Sequence, residues 1–210
     1  QTGLVVTVKE RSWGPNYLQL GFSIGGNQDG DNYYDLSFAY TRTAINQLNG
    51  EWRSVVQIGN SPGIFTEIYQ PLDDDSLYFI NPRLLYQQQK IRLYSSTNDV
   101  LTEYGITQYG GDLAVGRELG TWGEARIGLL RLKGDAKINV GPQDQPAYDF
   151  NRGEIYAKFS VDTFDNFSFP RKGYAGNLTY IRSEESLGAD SEFEQAGMEA
   201  SLAMSWGENT

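Results

Sequence analysis

From residue 16 onward the chain alternates apolar and polar positions with a period of two, the mark of strands whose two faces meet different surroundings. Leu18, Leu20, Phe22 and Ile24 stand opposite Gln19, Gly21, Ser23 and Gly25. The next run sets Tyr34, Leu36, Phe38 and Tyr40 against Asp35, Ser37, Ala39 and Thr41, and the one after sets Trp52, Val56 and Ile58 against Glu51, Arg53, Gln57 and Gly59. The scheme returns around Leu113, Ile127 and Phe159, and in the last run Met198, Leu202 and Met204 face away from Gln195, Glu199 and Ser201. Turn formers punctuate it: Asn49-Gly50, Ser61-Pro62-Gly63, residues 71–75, 120–123 and 165–173. Residues 16–210 therefore read as about ten antiparallel strands with no helix signal. Two stretches, 88–103 and 134–152, read as long polar loops, and Pro82 reads as an edge position or a bulge. The alternating residues 2–10, ahead of the Gly14-Pro15 break, read as the last strand of a preceding domain. No signal peptide is visible at Gln1, so the chain reads as though cut from a longer one.

Alternation does not say which face is inside. No apolar run approaches the roughly 18–20 residues of a membrane helix, which excludes a helical membrane protein but not a membrane barrel. A mean hydropathy of -0.50 is compatible with either a soluble barrel or a membrane barrel, because only every second residue of the latter faces lipid. Two features favour the membrane. Short turns near 47–50, 71–75, 120–123 and 165–171 alternate with longer connections, as in outer-membrane barrels, with 60–63 as the exception. The polar face also carries both charge signs in mid-strand, which suits a wet lumen with ion pairs between neighbouring strands. On this reading Leu18, Leu20, Phe22, Ile24, Leu36, Phe38, Met198, Leu202 and Met204 face lipid, and Glu51, Arg53, Arg126, Lys158 and Glu199 face the lumen. Tyr17, Tyr34, Tyr40, Trp52, Trp122, Tyr174 and Trp206 suit the aromatic belts at the two interfaces. The alternative is a soluble all-β ligand-binding barrel with the apolar face inside.

Charge and composition narrow the chemistry. A formal net charge of -10 argues against nucleic acid as a partner. With no cysteine and no histidine, the commonest nucleophile–base pairs and metal-ligand sets are missing, and no cofactor is expected. Residues 59–63 match the G-x-S-x-G nucleophile elbow, which makes a serine hydrolase using Ser61 a further alternative. That elbow needs a strand-to-helix turn and an N–H after the serine, whereas a strand follows here and Pro62 has no N–H. Asp73-Asp74-Asp75 and Asp29-Gly30-Asp31 lack the ligand spacing of a calcium loop and read as solvated turns. Asp112, Glu118, Asp162 and Glu199 read as counter-charges to lumen Arg and Lys rather than as acid/base pairs.

Residues 162–173 resemble the D-x-x-D-N-x-x-F-P-x-x-G signature of the bacterial surface-antigen superfamily of outer-membrane barrels, through Asp162, Asp165, Asn166, Phe169, Pro170 and Gly173. Residues 9–18, 41–53 and 65–73 are similar to the barrel portion of bacterial patatin-like phospholipases, type V autotransporters. The resemblance implies an antiparallel transmembrane outer-membrane β-barrel of sixteen strands. Residues 1–10 would then end a periplasmic domain, and 16–210 would form the N-terminal portion of the barrel. It further implies a bacterial outer-membrane protein that anchors and translocates a fused upstream patatin-like lipase passenger, without catalysis in this chain. Outer-membrane lipid, the passenger and the periplasmic domain are the partners it implies; the two unpaired edges that an open sheet of about ten strands would leave add a further copy of the chain, a homo-oligomer.

Overall fold

A computed structural model describes residues 14–26, 32–94, 100–141, 147–166 and 168–205. Ten strands form one antiparallel sheet in which each strand pairs with its sequence neighbour. They are β1 (Asn16–Gly26), β2 (Asn32–Arg42), β3 (Glu51–Gly59), β4 (Gly63–Pro71), β5 (Tyr78–Tyr94), β6 (Val100–Glu118), β7 (Gly123–Val140), β8 (Tyr148–Asp162), β9 (Gly173–Ser183) and β10 (Phe193–Ala203). A single 3-10 turn, Glu185–Leu187, is the one helical element among the described residues. The segment 1–10 and the pair Asp29 and Asp31 lie outside the described residues.

The period-two pattern sets the register. Leu20 pairs with Phe38, Phe38 with Val56 and Val56 with Ile64, so apolar side chains form continuous rows across neighbouring strands. A slip of one residue would turn every such row over to the polar face. Turn chemistry agrees with it. Asn49 takes φ 57 before Gly50, and the Asn46 side chain accepts from the N–H groups of Leu48 and Gly50.

Three expectations are corrected. Residues 88–103 and 134–152 are largely strand: β5 runs to Tyr94, β6 begins at Val100, β7 runs to Val140 and β8 begins at Tyr148. Hence β5 to β8 have 17, 19, 18 and 15 residues instead of the ~9–11 that cross a bilayer. In these extensions the alternation changes face: Gln88, Lys90, Arg92 and Asp135 continue the face of Leu84 and Leu113, while Ile91, Ile106, Ile138 and Phe150 lie on the other, so the pattern of the preceding residues breaks although the backbone ladder continues. Second, the connections themselves do not divide into short and long: 60–62 is shorter than 43–50 or 163–172. The asymmetry lies in strands that overhang at one end. Third, Pro82 is neither an edge residue nor a bulge. It sits in β5 between β4 and β6, in unbroken register from Glu67↔Arg83 to Gln70↔Ile80. Proline has no N–H to give Ile68 opposite it, and the Asn81 side chain donates to the Ile68 carbonyl instead, at 3.0 Å.

Candidate functional site

The direction of curvature decides what each face can do. In a flat sheet, strands two and three places apart lie about 10 and 14 Å from one another. On the polar face, side chains nevertheless bridge those intervals. Tyr69 of β4 donates to Glu118 of β6 at 2.8 Å, and Arg126 of β7 reaches Asn81 of β5 at 3.4 Å. Tyr156 of β8 donates to Asp112 of β6 at 2.8 Å, and Arg83 of β5 meets both, at 2.6 Å to Asp112 and 3.2 Å to the Tyr156 hydroxyl. Four such bridges on one face, and none on the other among the described residues, are the pattern of a polar face that is concave. The apolar face is therefore convex, and the arrangement a soluble barrel needs, with that face inside, is not the one formed.

The concave face packs polar groups tightly. Phe79 is fully buried beneath the Arg126 guanidinium, 5.2 Å from its ring centroid, and beside Tyr69. Aromatic rings lie flat over glycines directly opposite them: Phe79 over Gly116, Tyr156 over Gly128 and Phe150 over Gly134. Among the described residues no buried side-chain nitrogen or oxygen lacks a partner.

Of the expected lumen residues, Arg53 pairs across strands with Glu67 at 3.8 Å. Glu51 lies opposite Tyr69 and Glu199 opposite Asn177. Arg126 departs from the cross-strand scheme: its partner is Glu124 on the same strand, and directly opposite stands Lys158, a like charge. The four carboxylates do not converge on one point. Asp112 binds Arg83, Glu118 accepts from Tyr69 and Asp162 caps the Phe164 N–H.

The convex face is a continuous apolar band. Leu18, Leu20, Phe22 and Ile24 are 68–72% exposed, Met198, Leu202 and Met204 similarly so, and Leu36 and Phe38 share their face with them through the β1–β2 register. Aromatic residues mark both margins of the band. Tyr40, Trp52, Tyr78 and Tyr174 lie toward the end bearing the 43–50, 72–77, 119–122 and 163–172 connections, and Tyr34, Tyr86 and Tyr109 toward the overhanging end. From Tyr78 to Tyr86 is about 26 Å along the strand, close to the roughly 25 Å height of an outer-membrane apolar band. Beyond Tyr86 the same face continues with Gln88, Lys90 and Arg92, where Arg92 and Lys90 flank Glu103 at 2.7 and 3.9 Å. Polar atoms inside the band are satisfied locally: Trp52 Nε1 donates to Thr66 at 2.9 Å, and Thr66 meets Ser54 at 2.7 Å. Tyr17 is a correction, since it pairs with Thr41 and so belongs to the polar face. Trp206 lies outside the described residues.

The signature turn is built by side chains that cap backbone. Asp165 accepts from the N–H groups of Arg171 and Lys172 at 2.9 and 3.0 Å, and Asn166 from those of Ser168 and Phe169. Those two backbone bonds hold the Asp165 carboxyl below the usual carboxylate range. Gly173 has φ 116, and a Cβ there would lie 2.4 Å from the Thr163 carbonyl oxygen. Pro170 follows Phe169, which is left 82% exposed.

Ser61 lies in the 60–62 connection between two strands, with its N–H on the Asp35 carboxylate at 2.9 Å. The helix that would complete a nucleophile elbow is not there. Asp73 spends both carboxylate oxygens on the N–H groups of Leu77 and Tyr78. Among the described residues no group of three acidic side chains is placed to hold a metal ion, and no helix is long and apolar enough to cross a membrane.

No family model matches the chain, and no curated protein matches it in sequence. Among solved structures it is similar to BamA from Haemophilus ducreyi lacking POTRA domains 1–3, with a TM-score of 0.68 and 13% identity. The match covers 88% of this chain and 36% of that one. At that identity the likeness concerns the fold, which is that of an outer-membrane β-barrel.

Proposed function

We propose that this chain forms part of the wall of a bacterial outer-membrane barrel that anchors and translocates a fused patatin-like lipase passenger, and that it carries no catalytic centre of its own. The observation that carries the membrane reading is the convex apolar band, edged by aromatic residues and backed by a concave polar face. Lipid demands that every backbone polar group be paired. Among the described residues β1 and β10 are the outer strands of the sheet, and their outer edges accordingly need partners, supplied by further strands of a sixteen-stranded barrel or by a second copy. The passenger is supported by the resemblance of residues 9–18, 41–53, 65–73 and 162–173 to the patatin-like group.

Two experiments separate the coarse claim from the fine one. Reconstituted into phospholipid vesicles, the chain is expected to float with them and to resist extraction at alkaline pH; recovery in the soluble fraction overturns the membrane reading. Cells expressing the encoding gene with its upstream region are expected to hydrolyse an ester substrate, and the activity should survive Ser61→Ala in this chain. Loss of that activity in Ser61→Ala, with the barrel still inserted, favours the hydrolase reading.

A further inference from the structure

The convex face is not evenly filled. A groove of about 1020 Å³ crosses it between β4 and β7, walled by Leu84, Leu113 and Leu129, with Thr66, Pro82 and Gly111 at its base. Its cause is a register row in which Leu84, Gly111 and Arg131 stand side by side, so that an absent side chain lies between two long ones. At the overhanging end the groove meets Arg131 and Lys133, and Lys133 stands opposite Tyr109. This is the margin of the apolar band, the depth at which lipid headgroups begin.

The charged side chains that line the groove's mouth on this face, Arg131 and Lys133, are both cationic. Arg131 donates to the carbonyls of Gly188 and Arg152, neither of which neutralises it. Lys133 makes no ion pair among the described residues. Of the acids nearby, Asp135 pairs with Lys137 at 3.0 Å and Asp190 binds the backbone and side-chain nitrogens of Asn151 at 2.6 and 3.1 Å, while Asp149 stands opposite Asp135, one row further from the groove than Lys133. Two cations at the mouth of an apolar trough, in a chain of net charge -10, select an anionic head joined to an apolar tail.

We propose that this groove is a binding site for an anionic, phosphate-bearing membrane lipid, with an acyl chain over Gly111 between the leucine walls and the phosphate at Lys133 and Arg131. The proposal rests on the membrane reading above. A groove that served as a protein contact would instead hold lipid without headgroup preference.

The test uses the full chain, purified in detergent, stripped of lipid and titrated with phosphatidylglycerol or phosphatidylcholine under native mass spectrometry. One phosphatidylglycerol is expected to be retained in preference to phosphatidylcholine. Lys133→Gln should reduce that preference about fivefold, the effect of one basic residue at a membrane surface. Gly111→Leu, which fills the trough, should abolish retention of both lipids; because it also strains the contact with Leu84, Lys133→Gln carries the decision. Equal retention of the two lipids by the unaltered chain, or an unchanged preference in Lys133→Gln, overturns the site. Flotation with vesicles is scored separately: a chain that floats yet shows no preference loses only this site, whereas one that fails to float loses the membrane reading and the lipid site with it.

Discussion

Glycine sets much of the packing at the scale of single residues. An added Cβ at Gly116 would lie 2.3 Å from the Phe79 ring, which is itself fully buried, whereas one at Gly197 would meet nothing within 4 Å. Gly116→Ala is therefore expected to cost about 1–3 kcal/mol by overpacking, and Gly197→Ala to leave the urea midpoint of the vesicle-inserted protein nearly unchanged. Asp112→Ala removes the partner of a half-buried Arg83 and of the Tyr156 hydroxyl together. It should cost about 2 kcal/mol, against about 1 for Tyr156→Phe, which leaves the Arg83–Asp112 pair intact. Asp165 supplies a pH dependence. Its folded pKa is depressed below the unfolded value of about 3.9, so its contribution is complete above that value and fades as pH falls through the folded pKa. Amide exchange at Arg171 and Lys172, corrected for the intrinsic pH dependence, should stay constant from pH 7 to 5 and lose protection only in stronger acid. Asp165→Asn should weaken protection across pH 5 to 7 and remove its acid dependence. The signature residues could be found in the sequence because turn-capping side chains fall at fixed offsets. The Asp112–Tyr156 contact could not, since it joins residues 44 apart across an intervening strand.

Elements were legible where their two faces meet different media. β1, β2 and β10 announce themselves because every second residue is apolar. The overhangs of β5 to β8 do not, because there the apolar residues change face: Gln88, Lys90 and Arg92 stand on the convex side and Ile91, Ile106, Ile138 and Phe150 on the concave side, opposite to the rest of each strand. The ladder there rests on backbone bonds and on the Arg92–Glu103–Lys90 cluster, not on burial against lipid. It follows that the β5–β6 overhang is dispensable to the wall. Replacing residues 88–107 with a short Asn-Gly turn closing the Gln87↔Gln108 pair should preserve vesicle insertion and the urea midpoint to within about 1 kcal/mol. Loss of insertion would show that this hairpin is part of the folding unit. Pro82 carries a related lesson: a proline that discourages a central-strand assignment is accommodated because its neighbour Asn81 supplies the missing donor.

For the whole molecule, alternation alone gave the number of strands and their order but not their curvature, because a pattern of period two is the same whichever way the sheet bends. Curvature became visible only in side-chain bonds that skip one or two strands, from Tyr69 to Glu118 and from Arg83 to Tyr156. The account stands on that orientation. Because the chain has no cysteine, it can be measured cleanly with single nitroxide labels. Labels at Leu20→Cys, Leu129→Cys and Leu202→Cys should collide freely with oxygen and poorly with a water-soluble nickel chelate in the vesicle-bound protein. Labels at Gln19→Cys, Lys158→Cys and Ser201→Cys should show the opposite preference. Nickel access at the leucine positions with oxygen preference at their polar neighbours would contradict the account outright.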